Sequence, residues 1–196
     1  MGRPSKKAER TEQILAAFQR CVARSGLEGS TLDQIAEEAG MQRSLVRHFA
    51  GNREELVRTL AHWVIGNSVP VWEEFKAGIP EDNPLDYLLD GLFEEKNTNP
   101  ETVLVISALT FSAGNDPDLA KMLRNWINSF TQDIQTILGS IFPQAKREQV
   151  DAVAFGLVSL NFNLDALSPL NIGPEYRRAA RTCAESLIST LRNASE

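Results

Sequence analysis

Cysteine is nearly absent from the 196 residues, and the two present, Cys21 and Cys183, belong to no CxxC or Cys/His spacing. That excludes a disulfide framework and a zinc site, and leaves two small core residues of a reducing compartment. Histidine is as scarce, with His48 and His62 alone, and the chain holds no HExxH, GxSxG or GxxxxGK[ST] pattern. Adjacent carboxylates such as Glu37-Glu38, Glu73-Glu74 and Glu94-Glu95 diverge by about 100° on a helix and read as solvated surface. No enzyme, metal or cofactor is therefore expected. Long apolar runs are missing too: Val103 to Ala113 and Ala152 to Leu160 fall short of the roughly 18 residues a membrane span needs. The opening MGRPSKKAERTEQ is polar where an export signal would be apolar. No membrane partner is expected, and the expected location is the cytoplasm.

Net charge is −6, superficially unsuited to a nucleic-acid partner, but its distribution is uneven. Residues 1–60 carry ten Lys and Arg against eight Asp and Glu, and the remainder ten against eighteen. A basic end on an acidic body suits a protein that presents one end to DNA; an ordinary fluctuation in surface charge accounts for the same numbers.

What is abundant is helical periodicity, over a hydrophobic content of 42% that can build a proper core. Ile14, Leu15, Phe18 and Val22 precede Gly26, predicting a helix over 9–25 with a left-handed glycine cap. Ser30-Thr31 offer N-cap hydroxyls to a short helix through Leu32, Ile35, Ala36 and Ala39, ended by Gly40. Another begins near Gln42 and carries Leu45, Val46 and Phe49. After the Gly51 break, Asn52 caps a helix over 52–66 with Glu54 and Glu55 in its first turn. Prolines then divide further helices near 84–96, 101–113, 117–141, 144–167 and 175–193. The expected class is all-α: a three-helix head over residues 1–50, and a larger helical-bundle body over 51–196 whose first helix connects the two.

The stretch from Leu32 to Phe49 meets each requirement of a helix-turn-helix. Ala36 is small where the second helix packs close, Gly40 tolerates positive φ in the turn, and Ile35, Ala39, Met41, Val46 and Phe49 lock the angle. What remains outward is Gln42, Arg43, Ser44, Arg47 and His48. Those side chains can pair with adenine edges, guanine or phosphate in a major groove; a solvated polar face on an ordinary helical hairpin is the other reading. Preceding the first helix, Arg3, Lys6 and Lys7 with Pro4 form an arm that either tracks a minor groove or phosphates or serves as a solubilising tail.

Over residues 8–60 the sequence resembles the TetR family of regulators, through the helix ending at Gly26, the run TLDQIAEEAGM at Thr31 to Met41, and GNREEL at Gly51 to Leu56. Beyond residue 60 length and helical character alone match. The resemblance implies a dimeric transcriptional repressor on a palindromic operator, associated with a bacterial nucleoid and responsive to a small molecule. It further implies that Thr31 caps the second helix and touches phosphate, that Gln42, Arg43 and Ser44 open the recognition helix, and that Arg53 faces phosphate where the family usually has lysine. Arg47 and Ala50 depart from the family's usual aromatics, which puts the base sequence read in doubt.

Two apolar stripes close the chain: Val153, Leu157, Leu160 and Leu164, then Cys183, Ala184, Leu187, Ile188 and Leu191. Paired with a second copy they would form a four-helix bundle, as in the resembled family; packed inward they would be monomer core. Trp63, Trp72, Phe93, Phe111, Trp126, Phe130 and Phe155, with Asn161 as a polar group, are the candidate lining of an effector pocket or else plain core. An effector-independent DNA-binding protein, architectural or governed by a protein partner, is the alternative that shares the same head.

Overall fold

The computed structural model describes residues 6–94, 96 and 99–192, all-helical apart from turns and connections. The helices are α1 (Lys6–Gly29), α2 (Leu32–Glu38), α3 (Arg43–Ala50), α4 (Arg53–Ala77), α5 (Pro84–Phe93), α6 (Pro100–Ser112), α7 (Pro117–Ile141), α8 (Arg147–Leu167) and α9 (Pro174–Arg192). Four of them open on proline, whose fixed φ and missing N–H cost nothing at the first helical position.

The chain forms two compact units, Met1–Val69 with Glu101–Leu123, and Pro70–Pro100 with Arg124–Glu196. In the first, Phe18, Ile14 and Val22 of α1, Ile35 of α2 and Val46 of α3 share a core with Leu56 and Leu60 of α4, Val105 and Leu109 of α6, and Leu119 of α7. The packing therefore does not divide at residue 50. Two of the three head helices are under ten residues long and bury too little apolar surface alone; α4, α6 and the start of α7 complete their core.

In the second unit Leu88 and Leu89 of α5, Ile134 and Leu138 of α7, Val153 and Leu157 of α8, and Ala184 and Ile188 of α9 are enclosed together. By length and composition alone α8 is apolar enough to cross a bilayer. Here its Val150, Val153, Ala154, Leu157, Val158 and Leu164 are buried in this core.

Besides α5, which ends at Phe93 rather than 96, and α8, which begins at Arg147 rather than 144, three features depart from the periodic reading. First, α1 starts at Lys6, so Lys6 and Lys7 lie in its first turn rather than in an arm; Arg3 lies outside the described residues. Second, Gly26 does take positive φ, 69°, but its ψ is 175°; the regular helix breaks there and one more turn follows to Gly29. Third, α4 runs on to Ala77 through Pro70. The proline removes the hydrogen bond to the Gly66 carbonyl, a loss of about 3 kcal/mol in a helix interior. Leu60 and Val64 before it and Trp72 and Phe75 after it are anchored in apolar clusters, and burial on that scale outweighs one proline.

Within the first unit, Asp116 ties two helices together. One carboxylate oxygen accepts from the Asp118 and Leu119 amides at 3.1 Å each, capping α7. The other accepts from Arg58 Nε of α4 at 2.8 Å. The Arg58 hydrogen bond, ahead of the Leu119 amide, holds the Asp116 carboxyl below its ordinary range. A depressed carboxyl contributes stability above its unfolded pKa and loses it as pH falls through the folded one. Asp116→Asn keeps the cap and removes the charge, and is expected to lower the thermal midpoint at pH 7. The gap to the wild type should narrow on acidification below the carboxylate range, which thermal melts at stepped pH would measure.

Candidate nucleic-acid interface

The α2–α3 pair is built from its caps inward. Thr31 is the N-cap of α2: its Oγ1 accepts from the Gln34 amide at 3.3 Å, while the Thr31 amide donates to Gln34 Oε1 at 2.8 Å, a reciprocal capping box. The turn that follows needs a left-handed residue, and Gly40 sits at φ 62°, where a Cβ would be strained. There the Gly40 amide donates to the Glu37 carbonyl and the Met41 amide to that of Ala36. Gln42 is the N-cap of α3 but makes no side-chain cap bond, so its carboxamide is not consumed by the helix.

Only one edge of α3 is apolar. Val46 is fully buried and Leu45 and Phe49 are half-buried, whereas Gln42, Arg43, Ser44, Arg47 and His48 are all exposed. Positions 43, 44, 47 and 48 recur at the helical period and share one face. The structure thus brings together five of the residues expected to read DNA. They form a polar face with Arg47 and His48 in the last turn of α3 and no acid in the first.

Two clamps hold this pair to α1. Glu38 of α2 accepts from Arg20 Nε at 2.7 Å and Arg24 Nη1 at 3.2 Å; those hydrogen bonds, Arg20 first, lower its carboxyl from the ordinary value. Arg53 is the second clamp, and its expected role as a phosphate contact needs correction. Its Nη1 and Nη2 donate to the carbonyls of Ser30 and Leu27, and its guanidinium lies 5.6 Å from the centroid of the Phe18 ring. Carbonyls at and beyond the end of a helix lack intrahelical partners; Arg53 serves that of Ser30 and joins the Ser30 amide on that of Leu27. Nothing in the local sequence of α4 marks that role, because the acceptors lie 23 and 26 residues earlier.

The candidate pocket residues are split between the units. Trp63 lines a shallow depression of the first unit with Lys7, Thr11, Leu15 and Asn67, and Phe111, also in that unit, is 91% exposed. In the second unit Phe155 is 68% exposed. Neither phenylalanine lines an enclosed site, and an apolar residue on the outer side of a helix cannot. Phe93 is buried core. Trp72 meets Phe130 edge-on at 4.6 Å and stacks on Phe75 at 5.1 Å, while Trp126 meets Phe162 at 5.8 Å. Asn161 donates to the Leu92 carbonyl at 2.7 Å, closing the end of α5. Unforeseen in the sequence is Asp133 beside this cluster, accepting from Trp72 Nε1 at 2.7 Å and Lys76 Nζ at 2.9 Å.

The candidate dimer stripes also divide. Val153, Leu157, Leu164, Ala184, Ile188 and Leu191 are buried in the chain's own core, because the most apolar face of each helix turns inward. Outward lie Leu160, Cys183 and Leu187, which with Gly156, Ser159, Asn163, Thr182 and Ser186 line a shallow groove along α8 and α9. Small residues floor that groove, and a Cβ on Gly156 would stand 2.7 Å from Leu187 Cδ1.

Arg53→Ala is expected to destabilise the head by about 1–3 kcal/mol, since the Ser30 carbonyl loses its charged donor and that of Leu27 keeps the Ser30 amide alone. Arg53→Lys should recover little, having no fork to span both carbonyls. Urea unfolding of the three proteins checks this.

No family model matches the sequence. Among curated proteins, the HTH-type transcriptional regulator BetI of Stenotrophomonas maltophilia is 23% identical over 125 residues, 62% of this chain and 64% of that protein, so the chain spans just under two thirds of its length. BetI of Burkholderia lata is 24% identical over 93% of both chains, and the HTH-type transcriptional repressor AcnR of Corynebacterium jeikeium 34% over 55 residues. Among solved structures, a TetR transcription regulator from Haloarcula marismortui superposes with a TM-score of 0.78 at 16% identity, covering 93% of this chain and 97% of its own. A TetR-family regulator from Cytophaga hutchinsonii does so with 0.77 at 16%, covering 96% and 98%. In fold over nearly its whole length, and in sequence more faintly, the chain resembles the TetR-family transcriptional regulators.

Proposed function

We propose that the protein is a sequence-specific DNA-binding transcriptional regulator, a repressor that binds a palindromic operator as a homodimer and is released by a small-molecule ligand. The observation that carries the reading is the exposed face of α3, with Gln42, Arg43, Ser44, Arg47 and His48 outward while Val46 is enclosed. A helix so divided, held behind a glycine turn, can enter a major groove with its polar side foremost. Thr31, exposed at the start of α2, and Lys6 and Lys7 in the exposed first turn of α1 serve as phosphate contacts. Arg53 is omitted from that role. Residues 1–50 are the functional DNA-binding domain, and 51–196 supply dimerisation and effector response, with α4 as the connection.

Ligand release acts in this reading by population shift: an effector that prefers a body conformation unsuited to the operator spacing weakens DNA binding. The effector-independent alternative has an observation of its own, since Asn161 and Asp133, polar groups among the aromatics, already have internal partners.

Selection of bound duplexes from a random pool tests the reading, and enrichment of a palindrome with half-sites about one helical turn apart is the expected result. On the winning duplex, Arg47→Ala should weaken binding to all sequences alike and reduce the salt slope by about 0.9. Gln42→Ala should instead cost about 1–3 kcal/mol of discrimination at one base pair. No enrichment, with weak salt-sensitive binding alone, would refute sequence-specific reading.

The groove along α8 and α9 is the proposed dimer seam. Cys183 is exposed on it, so Cys183→Arg leaves the monomer core intact while setting a charge into the seam. Light scattering should show a dimer for the wild type and a monomer for the variant, with operator affinity lost in parallel.

A further inference from the structure

An acid stands beside the reading face, where acids are costly. Asp33, in the first turn of α2, keeps 65% of its side chain exposed and meets Arg43 across the turn. Both carboxylate oxygens accept from Arg43 Nη1, at 3.1 and 2.9 Å. A negative group next to the helix that approaches phosphates opposes binding, yet here it grips a base-reading candidate. We infer that Asp33 is a specificity-determining positioning residue: it holds Arg43 by Nη1, so that the guanidinium edge formed by Nε and Nη2 is offered to a guanine. This rests on the DNA-binding reading above.

The argument has two parts, one of geometry and one of charge. Arg43 is the first residue of α3 and 62% exposed, and a free arginine there would sweep many rotamers, any of which could land on the nearest phosphate. A guanidinium is a rigid fork. Fixing one terminal nitrogen restricts where the remaining N–H groups point, and a bidentate contact to guanine O6 and N7 needs two of them in one plane. In charge, Asp33 neutralises Arg43 toward the phosphate backbone, which supplies most non-specific affinity. An exposed ion pair is individually weak, so it biases Arg43 without locking it away. Both parts act in the same direction, lowering binding to arbitrary duplex and keeping a preference at one base pair.

The opposing view makes Asp33 an ordinary acid at a helix N-terminus, where the macrodipole favours negative charge. Asp33→Asn separates the two, because an exposed Asn at that position leaves the fold in place, as far-ultraviolet circular dichroism would check. Wild type, D33N, R43A and the double variant are each put through selection from a random duplex pool, then titrated with the enriched duplex and a scrambled one at two salt concentrations. The expected result is that D33N binds scrambled duplex more tightly, with a steeper salt slope. Its ratio of specific to non-specific affinity should fall about two- to fivefold, and preference should flatten at the base pair whose preference R43A also loses. In the R43A background, D33N should change that base preference no further.

If D33N instead strengthens both duplexes equally and leaves every base preference unaltered, Asp33 is a surface charge and the inference is overturned. Flattening at a position that R43A leaves intact overturns it as well. A wild type that enriches no sequence defeats the DNA-reading proposal itself, and the positioning role with it; enrichment by the wild type followed by an unchanged D33N preference defeats the positioning role alone.

Discussion

Everything the head can do depends on the burial of one narrow apolar edge of α3. Val46 is fully enclosed and Leu45 and Phe49 are half-buried, and α3 is only eight residues long. So short a helix has no stability of its own in water; its conformation and its rotation about its axis are both set by that contact. Once Val46 is seated among Phe18, Ile35 and Leu56, the helical period leaves no choice about residues 43, 44, 47 and 48, which must face out. Polar groups presented by a buried anchor are rigid without being buried themselves, which is what a groove-reading surface requires.

The devices around that edge divide the task among backbone, side-chain oxygen and arginine. The capping box between Thr31 and Gln34 sets where α2 begins, and Gly40 sets the turn. Arginines then secure the assembly to α1 from two sides, Arg20 and Arg24 through Glu38 and Arg53 through backbone carbonyls. Several positive charges of the head are thus paired within the fold, while Lys6, Lys7, Arg10, Arg43 and Arg47 keep theirs on exposed side chains.

The second unit follows another logic, with aromatic packing in place of caps. Trp72, Phe75, Phe130 and Phe162 make successive ring contacts, and Asp133 joins Trp72 to Lys76 at the edge of the cluster. On α8 and α9 most large aliphatic residues face the core, and the groove side sets Leu160 and Leu187 among glycine, serine, threonine, asparagine and cysteine. A surface floored by small residues permits close approach of another helix, whereas the buried stripes are already spent on the chain's own interior.

The sequence alone determined the helical class, the helix-turn-helix, the Thr31 cap, the positive φ at Gly40 and the outward face of α3. These features follow from interactions three or four residues apart, where periodicity and capping chemistry are local and written in order along the chain. Only the tertiary structure decided that Arg53 points into the protein, that Asp33 grips Arg43, that α4 passes through Pro70, and that Phe111 and Phe155 are exposed. Each of those outcomes turns on a partner far away in sequence, or on which side of an apolar helix finds a neighbour. An apolar stripe states that a face will be covered, but it cannot say whether the cover comes from the same chain. An arginine likewise carries its charge in the sequence, while the carbonyl, carboxylate or solvent that receives it exists only once the chain has folded.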